Sequence, residues 1–303
     1  MEFPNTLLVV AGPTASGKTA LSIKIAQALG TEIMNADSRQ FYRELSIGTA
    51  RPTEEELSMA PHHFVAHKSI QETYSAGDFE SDTLSLLPEL FSKHPVVVLT
   101  GGSGMYIDAV CKGLSPLPEA DEEVRSEIIR VYNEKGISYL QNEVKNRDPK
   151  YFNIVDTSNP QRLMRALEVI LQTGQPFSDW LDVKAPERNF NVVTLGINRN
   201  RNELYERINL RVDDMIRQGL EEEARRHIEY RNAYALRTVG YSEFFSYFDG
   251  EIDFETAVSL IKQHTRNFAK RQITWFRRNK ETFWFDARNE SEIFAFLKSN
   301  VIK

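Results

Sequence analysis

The residues best suited to chemistry in this chain stand at the ends of three short apolar runs. After Thr6–Ala11 comes GPTASGKT, residues 12–19, which fits G-x-x-x-x-G-K-[ST] between a buried-strand pattern and an amphipathic stretch, Lys18–Leu29. Small residues in Gly12, Pro13, Thr14, Ala15, Ser16 and Gly17 let successive backbone N–H groups curl around a phosphate. The helix dipole that follows favours negative charge there. Lys18 adds a mobile cation, and the Thr19 hydroxyl is placed to bind Mg²⁺. The pattern predicts a polyphosphate or diphosphate ligand. After the run 31–36 comes Asp37-Ser38-Arg39-Gln40. A carboxylate facing bound phosphates binds Mg²⁺ outright or acts as general base on an incoming nucleophile; a turn or N-cap aspartate is the structural alternative. After the run 96–100 comes Gly101-Gly102-Ser103-Gly104, where the backbone can approach a ligand closely. His62 and His63 are neighbours and point apart on an extended segment, which predicts loop or packing roles rather than a paired metal site. No acidic residue directly follows the third run, where a P-loop ATPase often places its second magnesium ligand, and this weighs against an ATPase.

These loops need a scaffold that brings them together. Apolar runs at Thr6–Ala11, 31–36, 96–100 and 192–197 alternate with helical stretches, the signature of a parallel sheet covered on both faces. In such sheets ligands bind beyond the carboxyl ends of the strands. The expected fold class is therefore α/β, a P-loop NTPase-like sheet flanked by helices. A helical insertion is expected over 115–187. It opens with the proline-rich SPLPEAD, has helical periodicity at 122–134, Ile137–Arg147 and 159–172, and closes near Lys184-Ala185-Pro186. Residues 1–114 and 188–303 would form the core domain. After the fourth strand the chain reads as wholly helical. Residues 201–218 carry Leu204, Ile208 and Met215 on one side and Gly219 at the end. The last long helix should be N-capped by Asp253 and run to about Arg278. Phe254, Ala257, Val258, Ile261, Phe268, Ala269, Trp275 and Phe276 would share one face, with Arg266, Lys270 and Arg277 opposite and Arg271 and Arg278 on a flank.

From Thr265 to Lys280 there are six basic residues and no acidic one, in a chain of formal net charge −6. A solvated helix face usually mixes both signs, whereas an arginine-rich stripe of one sign suits phosphates along a nucleic-acid backbone. The overall charge argues against indiscriminate nucleic-acid binding and says nothing of local patches. With 41% hydrophobic and 26% charged residues among 303, the composition is that of an ordinary globular protein. The first apolar run is too short to span a membrane and lacks a basic flank, so it is a strand and not a signal peptide. Cys111 is alone, which excludes an internal disulfide and a cysteine-cluster metal site and leaves it as a small buried hydrophobe. A cytoplasmic protein is the simplest inference.

With these residues collected, the chain closely resembles the tRNA dimethylallyltransferase (tRNA isopentenyltransferase) family, in its bacterial type, nearly end to end. Besides GPTASGKT the likeness rests on DSRQFYRELSIGTARP (37–52), PHH (61–63), YSAGDF (74–79) and GGSGMYIDAVCKGLSPLP (101–118). It continues through QRLMRALEV (161–169), TGQP (173–176), LYERINLRVDDM (204–215), RTVGYSE (237–243) and TRNFAKRQITWFRR (265–278). Two departures stand out. Ser103 replaces the usual threonine of GGTG, keeping the hydroxyl, and Glu44 replaces the glycine of YRG, adding bulk and charge beside DSRQ.

The resemblance implies transfer of a dimethylallyl group from dimethylallyl diphosphate to the exocyclic amine of the adenine 3′ of the anticodon in certain tRNAs, with Mg²⁺ neutralising the diphosphate. It implies that residues 12–19 hold the leaving group with Arg211 as a second clamp, and that Thr19 binds the metal. Asp37 would accept the amine proton, assisted by Ser103, with Lys18 stabilising the leaving group. The anticodon stem-loop would be gripped by Ser38, Arg39 and Gln40, by Arg125, Gln161, Arg162, Leu163, Met164 and Arg165, and by Arg237, Gly240, Tyr241, Lys270, Arg271, Gln272, Trp275, Arg277 and Arg278. The target adenine must be extruded from its stack to react. A monomer that binds no membrane is the default. A nucleotide or metabolite kinase would leave the basic stripe unexplained, and a free-nucleotide, cytokinin-type isopentenyltransferase would not need about a hundred C-terminal residues directed at RNA.

Overall fold

Six parallel strands order the sheet of the computed structural model, which describes residues 5–119, 121–183 and 186–301. They are β1 (Thr6–Ala11), β2 (Ile33–Asn35), β3 (His62–His63), β4 (Val96–Gly101), β5 (Asn191–Asn198) and β6 (Phe283–Asp286), in the spatial order β3-β2-β4-β1-β5-β6. β1 and β4 are buried almost throughout, which is why they read as unbroken valine and leucine runs instead of alternating ones. Leu8, Val10, Val98, Leu195 and Ile197 pack against Leu21, Ile25 and Ala26 of the helix Lys18–Leu29, which ends on the left-handed Gly30.

β3 and β6 depart from the sequence expectation, since the chain after β5 is not wholly helical. Both are edge strands. β3 has two residues and β6 has four, with Phe283 47% exposed, so neither makes a buried apolar run. β2 is also shorter than the expected 31–36: the Thr31 amide is spent on the Ala26 carbonyl at the end of the preceding helix, and its hydroxyl donates to the Val96 carbonyl. The two histidines do point apart: His63 Nε2 meets Glu32 at 2.7 Å and His62 Nδ1 meets the Ala60 carbonyl at 2.7 Å.

The chain divides into two compact units, residues 1–111 with 188–303, and residues 112–187. The second unit packs the helices Glu122–Lys135, Ile137–Arg147, Pro149–Phe152, Pro160–Thr173 and Phe177–Leu181 around Leu140, Val144, Leu163, Ala166 and Val169. Asn159 caps Pro160–Thr173 by accepting from the Arg162 amide, with Pro160 at the first turn and the left-handed Gly174 at the end. Ala120 in the expected entry and Lys184-Ala185 at the expected exit lie outside the described residues.

In the first unit a helical region follows β5: Arg201–Arg217, Leu220–Arg226, Tyr241–Phe248, Phe254–Phe276 and Glu290–Asn300. Asp253 caps Phe254–Phe276 by accepting from the Thr256 amide, and the helix stops at Phe276. Its buried line is Ala257, Ile261, Ala269, Gln272 and Phe276. Phe268, expected on that face, is 37% exposed, because it sits one step off the line. Tyr241, expected at the RNA, is fully buried, and its hydroxyl donates to Glu223 at 2.6 Å. The same carboxylate accepts the amides of Ser46, Ile47 and Gly48, so one buried charge ties the segment after DSRQ to the C-terminal helices. These hydrogen bonds hold the Glu223 pKa below its ordinary value against the opposing pull of burial. Tyr241→Phe should therefore cost roughly 1.5–3 kcal/mol in denaturant unfolding, the range for a hydrogen bond to a charged group. Its tRNA affinity should stay unchanged, and a selective loss of tRNA binding would return Tyr241 to the RNA surface.

Candidate active site at the strand ends

The strand order places β2, β4 and β1 side by side, so the loops after them meet at one edge of the sheet. The phosphate loop turns through Ala15 at φ 61° and Gly17 at φ 98°, the left-handed conformation that lets successive amides face one point. Side chains from the C-terminal region brace it from behind: Arg207 Nε donates to the Ala15 carbonyl at 2.9 Å, and Arg199 Nε to the Ser16 carbonyl at 2.8 Å. Gln272 Oε1 accepts from the Thr14 amide at 2.9 Å. Among the described residues the buried Ser16 hydroxyl has no hydrogen-bond partner, a cost that a polar ligand in the cradle would remove.

Lys18 is 9% exposed, and its Nζ donates to the Pro13 carbonyl at 3.4 Å. Burial draws its pKa down to about 8, with Asp37 opposing the shift and Arg211 adding to it. Lys18, Thr19, Asn35, Asp37, Gln40, His62 and Thr100 line one small recess. Arg211 is half-buried, and its Nη2 donates to the Ala50 carbonyl at 3.4 Å. Its pKa is lowered by burial, with Asp37 pulling the other way.

Asp37 is fixed by its own turn: the Arg39 amide donates to Oδ1 at 3.3 Å, and the Gln40 amide to the Asp37 carbonyl at 2.9 Å. The Ser103 hydroxyl accepts from the Ser38 amide at 2.9 Å and donates to the Ser38 hydroxyl at 3.0 Å, so it orients this turn. The glycines around it each answer a steric demand. A Cβ on Gly101 would lie 2.3 Å from the Ala36 carbonyl oxygen, one on Gly102 2.3 Å from Gln272, and one on Gly104 2.2 Å from Trp275. Glu44, the second departure from the family pattern, is accommodated by accepting from the Ser69 hydroxyl and the Ile70 amide.

Beyond the recess lies a cavity of about 750 Å³, a size suited to a small organic group or a base. Ser38, Arg39, Gly102 and Ser103 line it together with Arg237, His264, Phe268, Arg271 and Trp275. Arg237, Lys270, Arg271, Arg277 and Arg278 are exposed. Trp275 Nε1 donates to Asp108 at 2.7 Å, and Arg278 lies 4.9 Å above its ring. Arg39 donates to the Tyr234 carbonyl at 2.8 Å. In the second unit Gln161 and Arg162 are exposed, Met164 is half-buried, and Arg125 and Arg165 both pair with the buried Glu168, at 3.6 and 3.0 Å.

Several residues expected at RNA are turned inward. Leu163 is fully buried in the core of its own unit. Gln40 is spent on the Thr49 and Ala50 carbonyls, and Gly240 is buried, with its amide donating to Glu243. Gln272 is 5% exposed. The sequence reading missed Arg199, Arg207, Glu168 and Glu223; the helical spacing of Arg207 and Arg211 was the one available signal, since i and i+4 share a face. Among the described residues no cluster of three or more His, Cys, Asp or Glu side chains could hold a metal ion. No described helix is long and apolar enough to cross a membrane.

A parallel sheet whose first strand runs into a G-x-x-x-x-G-K-[ST] cradle defines a P-loop-type α/β protein. The sequence model described as IPP transferase matches residues 40–279. A tRNA dimethylallyltransferase of Christiangramia forsetii is 51% identical over 298 residues, covering 98% of this chain and 99% of that one. The crystal structure of the full-length tRNA isopentenylpyrophosphate transferase from Bacillus halodurans aligns with a TM-score of 0.72 at 34% identity, covering 97% and 96% of the two chains. The structure of a eukaryotic dimethylallyltransferase acting on tRNA shares the fold, with a TM-score of 0.83 at 23% identity over 98% of this chain and 79% of that one. The chain belongs to the IPP transferase family.

Proposed function

We propose that this chain transfers the dimethylallyl group of dimethylallyl diphosphate to the exocyclic amine of the adenine 3′ of the anticodon in tRNA, in the cytoplasm. The observation that carries this reading, beside family membership, is the convergence of Lys18, Asp37 and the Ser103 turn at three adjacent strand ends, with the Ser103 turn lining a cavity edged by Arg237 and Arg271. In the reaction the C–O bond between the allylic carbon and diphosphate breaks, a C–N bond to the adenine amine forms, and the amine proton passes to Asp37. Charge builds on the leaving diphosphate, so the loop amides, Lys18 and Arg211 act as preorganised electrostatic stabilisers. The Thr19 hydroxyl lines the recess and suits a cation that keeps most of its shell as water and substrate oxygens, as Mg²⁺ does. When bound, Mg²⁺ would neutralise the diphosphate. The extruded adenine would enter the cavity beside Ser38 and Ser103, with the flanking RNA phosphates held by the exposed arginines and Lys270. Incubation with labelled dimethylallyl diphosphate and either tRNA or adenosine monophosphate tests the reading: label must appear in tRNA. Label only in the free nucleotide, or in neither, would sink it.

The basic helix supplies a separable expectation. Each lost phosphate contact removes released counterions, so Arg277→Ala with Arg278→Ala should flatten the salt dependence of tRNA binding by somewhat less than about one log unit per contact. Affinity for dimethylallyl diphosphate should stay nearly unchanged. A salt titration of tRNA affinity decides, and identical slopes would make these arginines a solvated face.

A further inference from the structure

The buried line of Phe254–Phe276 carries one polar side chain, Gln272, among Ala257, Ile261, Ala269 and Phe276. A buried amide is costly unless both of its ends are hydrogen-bonded. Both are: Oε1 accepts from the Thr14 amide at 2.9 Å, and Nε2 donates to the Gly102 carbonyl at 2.9 Å. Gln272 thus joins the phosphate loop after β1 to the Ser103 turn after β4, with an acceptor for the first and a donor for the second. Gly102 leaves it the room, since a Cβ there would lie 2.3 Å from Nε2. A carboxylate would present a second acceptor to the Gly102 carbonyl, and an aliphatic side chain would leave both backbone groups unpaired. Gln272 borders the cavity at 5% exposure, but with both ends of its amide spent on backbone it offers little to an RNA base.

We infer that Gln272 is a positioning residue for the leaving-group site, pinning the phosphate loop to the Ser103 turn so that the loop's other amides keep the register that receives diphosphate. This rests on the diphosphate-transfer reading above. The helix that carries the basic stripe therefore also sets the geometry of the phosphate cradle, on its opposite side.

Gln272→Met, which keeps the length and removes both hydrogen bonds, should weaken binding of inorganic diphosphate roughly tenfold or more, as loss of two buried hydrogen bonds does. In calorimetry and single-turnover assays of the full chain, transfer should slow while tRNA affinity stays within about twofold. Unchanged diphosphate affinity, or a loss confined to tRNA binding, would overturn the inference. Gln272→Glu supplies a readout that a packing role would not move. When protonated, its carboxyl group restores one donor and one acceptor, so its diphosphate affinity relative to wild type should recover as pH falls from about 8 to about 5.5. The same ratio for Gln272→Met should stay flat. If Gln272→Met does not fold, this pH ratio alone decides, and a flat profile for Gln272→Glu overturns the inference. Failure of the functional reading shows separately, as absence of label transfer to tRNA by the wild-type chain.

Discussion

Asp37→Asn should slow single-turnover transfer by about a hundredfold to ten-thousandfold, the usual contribution of a general base, while diphosphate affinity changes little. Asparagine keeps the shape of the carboxylate and can still accept from the Arg39 amide, so the turn that presents it should survive. What it loses is the ability to take the amine proton as the C–N bond forms. The position also bears on charge, since Asp37 supports the charged forms of both Lys18 and Arg211. Neutralising it removes an attraction that competes with an anion for the two cations and also a support for the charge on Lys18, two effects of opposite sign on diphosphate affinity. The same substitution separates the two chemistries that a carboxylate at this place permits. If Mg²⁺-dependent diphosphate binding weakened while the rate at saturation held, Asp37 would be a metal ligand and the proton would need another acceptor.

The sheet centre and the loops after β1, β2 and β4 were legible in the sequence because each combines a buried run with residues of unusual backbone or chemical demand. The edge strands were not. β3 and β6 are short and half-covered, and their pairing depends on strands more than twenty residues away in sequence. Motif resemblance placed Tyr241, Leu163, Gln40 and Gln272 at RNA, but a motif records which residues occur together and not where each side chain points. For Gln272 the direction could be read: it lies three residues after Ala269 and four before Phe276, so helical spacing puts it on the apolar face. Glu223 and Glu168 left no such signal, because a glutamate in a helix is ordinary until its neighbours are known. Each organises what the sequence did show: Glu223 holds residues 46–48, and Glu168 pairs with Arg125 and Arg165.

Lys18→Met should lower transfer by roughly a hundredfold or more, as loss of a preorganised charge contact does, and should at the same time make the fold more stable near neutral pH. The two effects have one cause. Burial lowers the Lys18 pKa from 10.5 to about 8. Below that value the folded chain holds a charge that the unfolded chain would hold in water, and it bears the full cost of doing so. Between about 8 and 10.5 the unfolded chain binds the extra proton, so this group's contribution to stability rises with pH across that window. Below it the cost is roughly 3 kcal/mol at about 1.4 kcal/mol per pH unit, and methionine removes most of it. Ligand binding runs the other way. A diphosphate favours the charged lysine, so above pH about 8 the wild-type chain must take up a proton to bind it, and affinity should fall as pH rises through that value. Lys18→Met should lack this fall, with tRNA affinity unaltered, because the basic stripe is unchanged. Denaturant unfolding at pH 7, with calorimetry of inorganic diphosphate binding in buffers of different ionisation enthalpy, measures both. A variant that is less stable and keeps the wild-type pH dependence would show that Lys18 braces the Pro13 carbonyl and does not act on the leaving group.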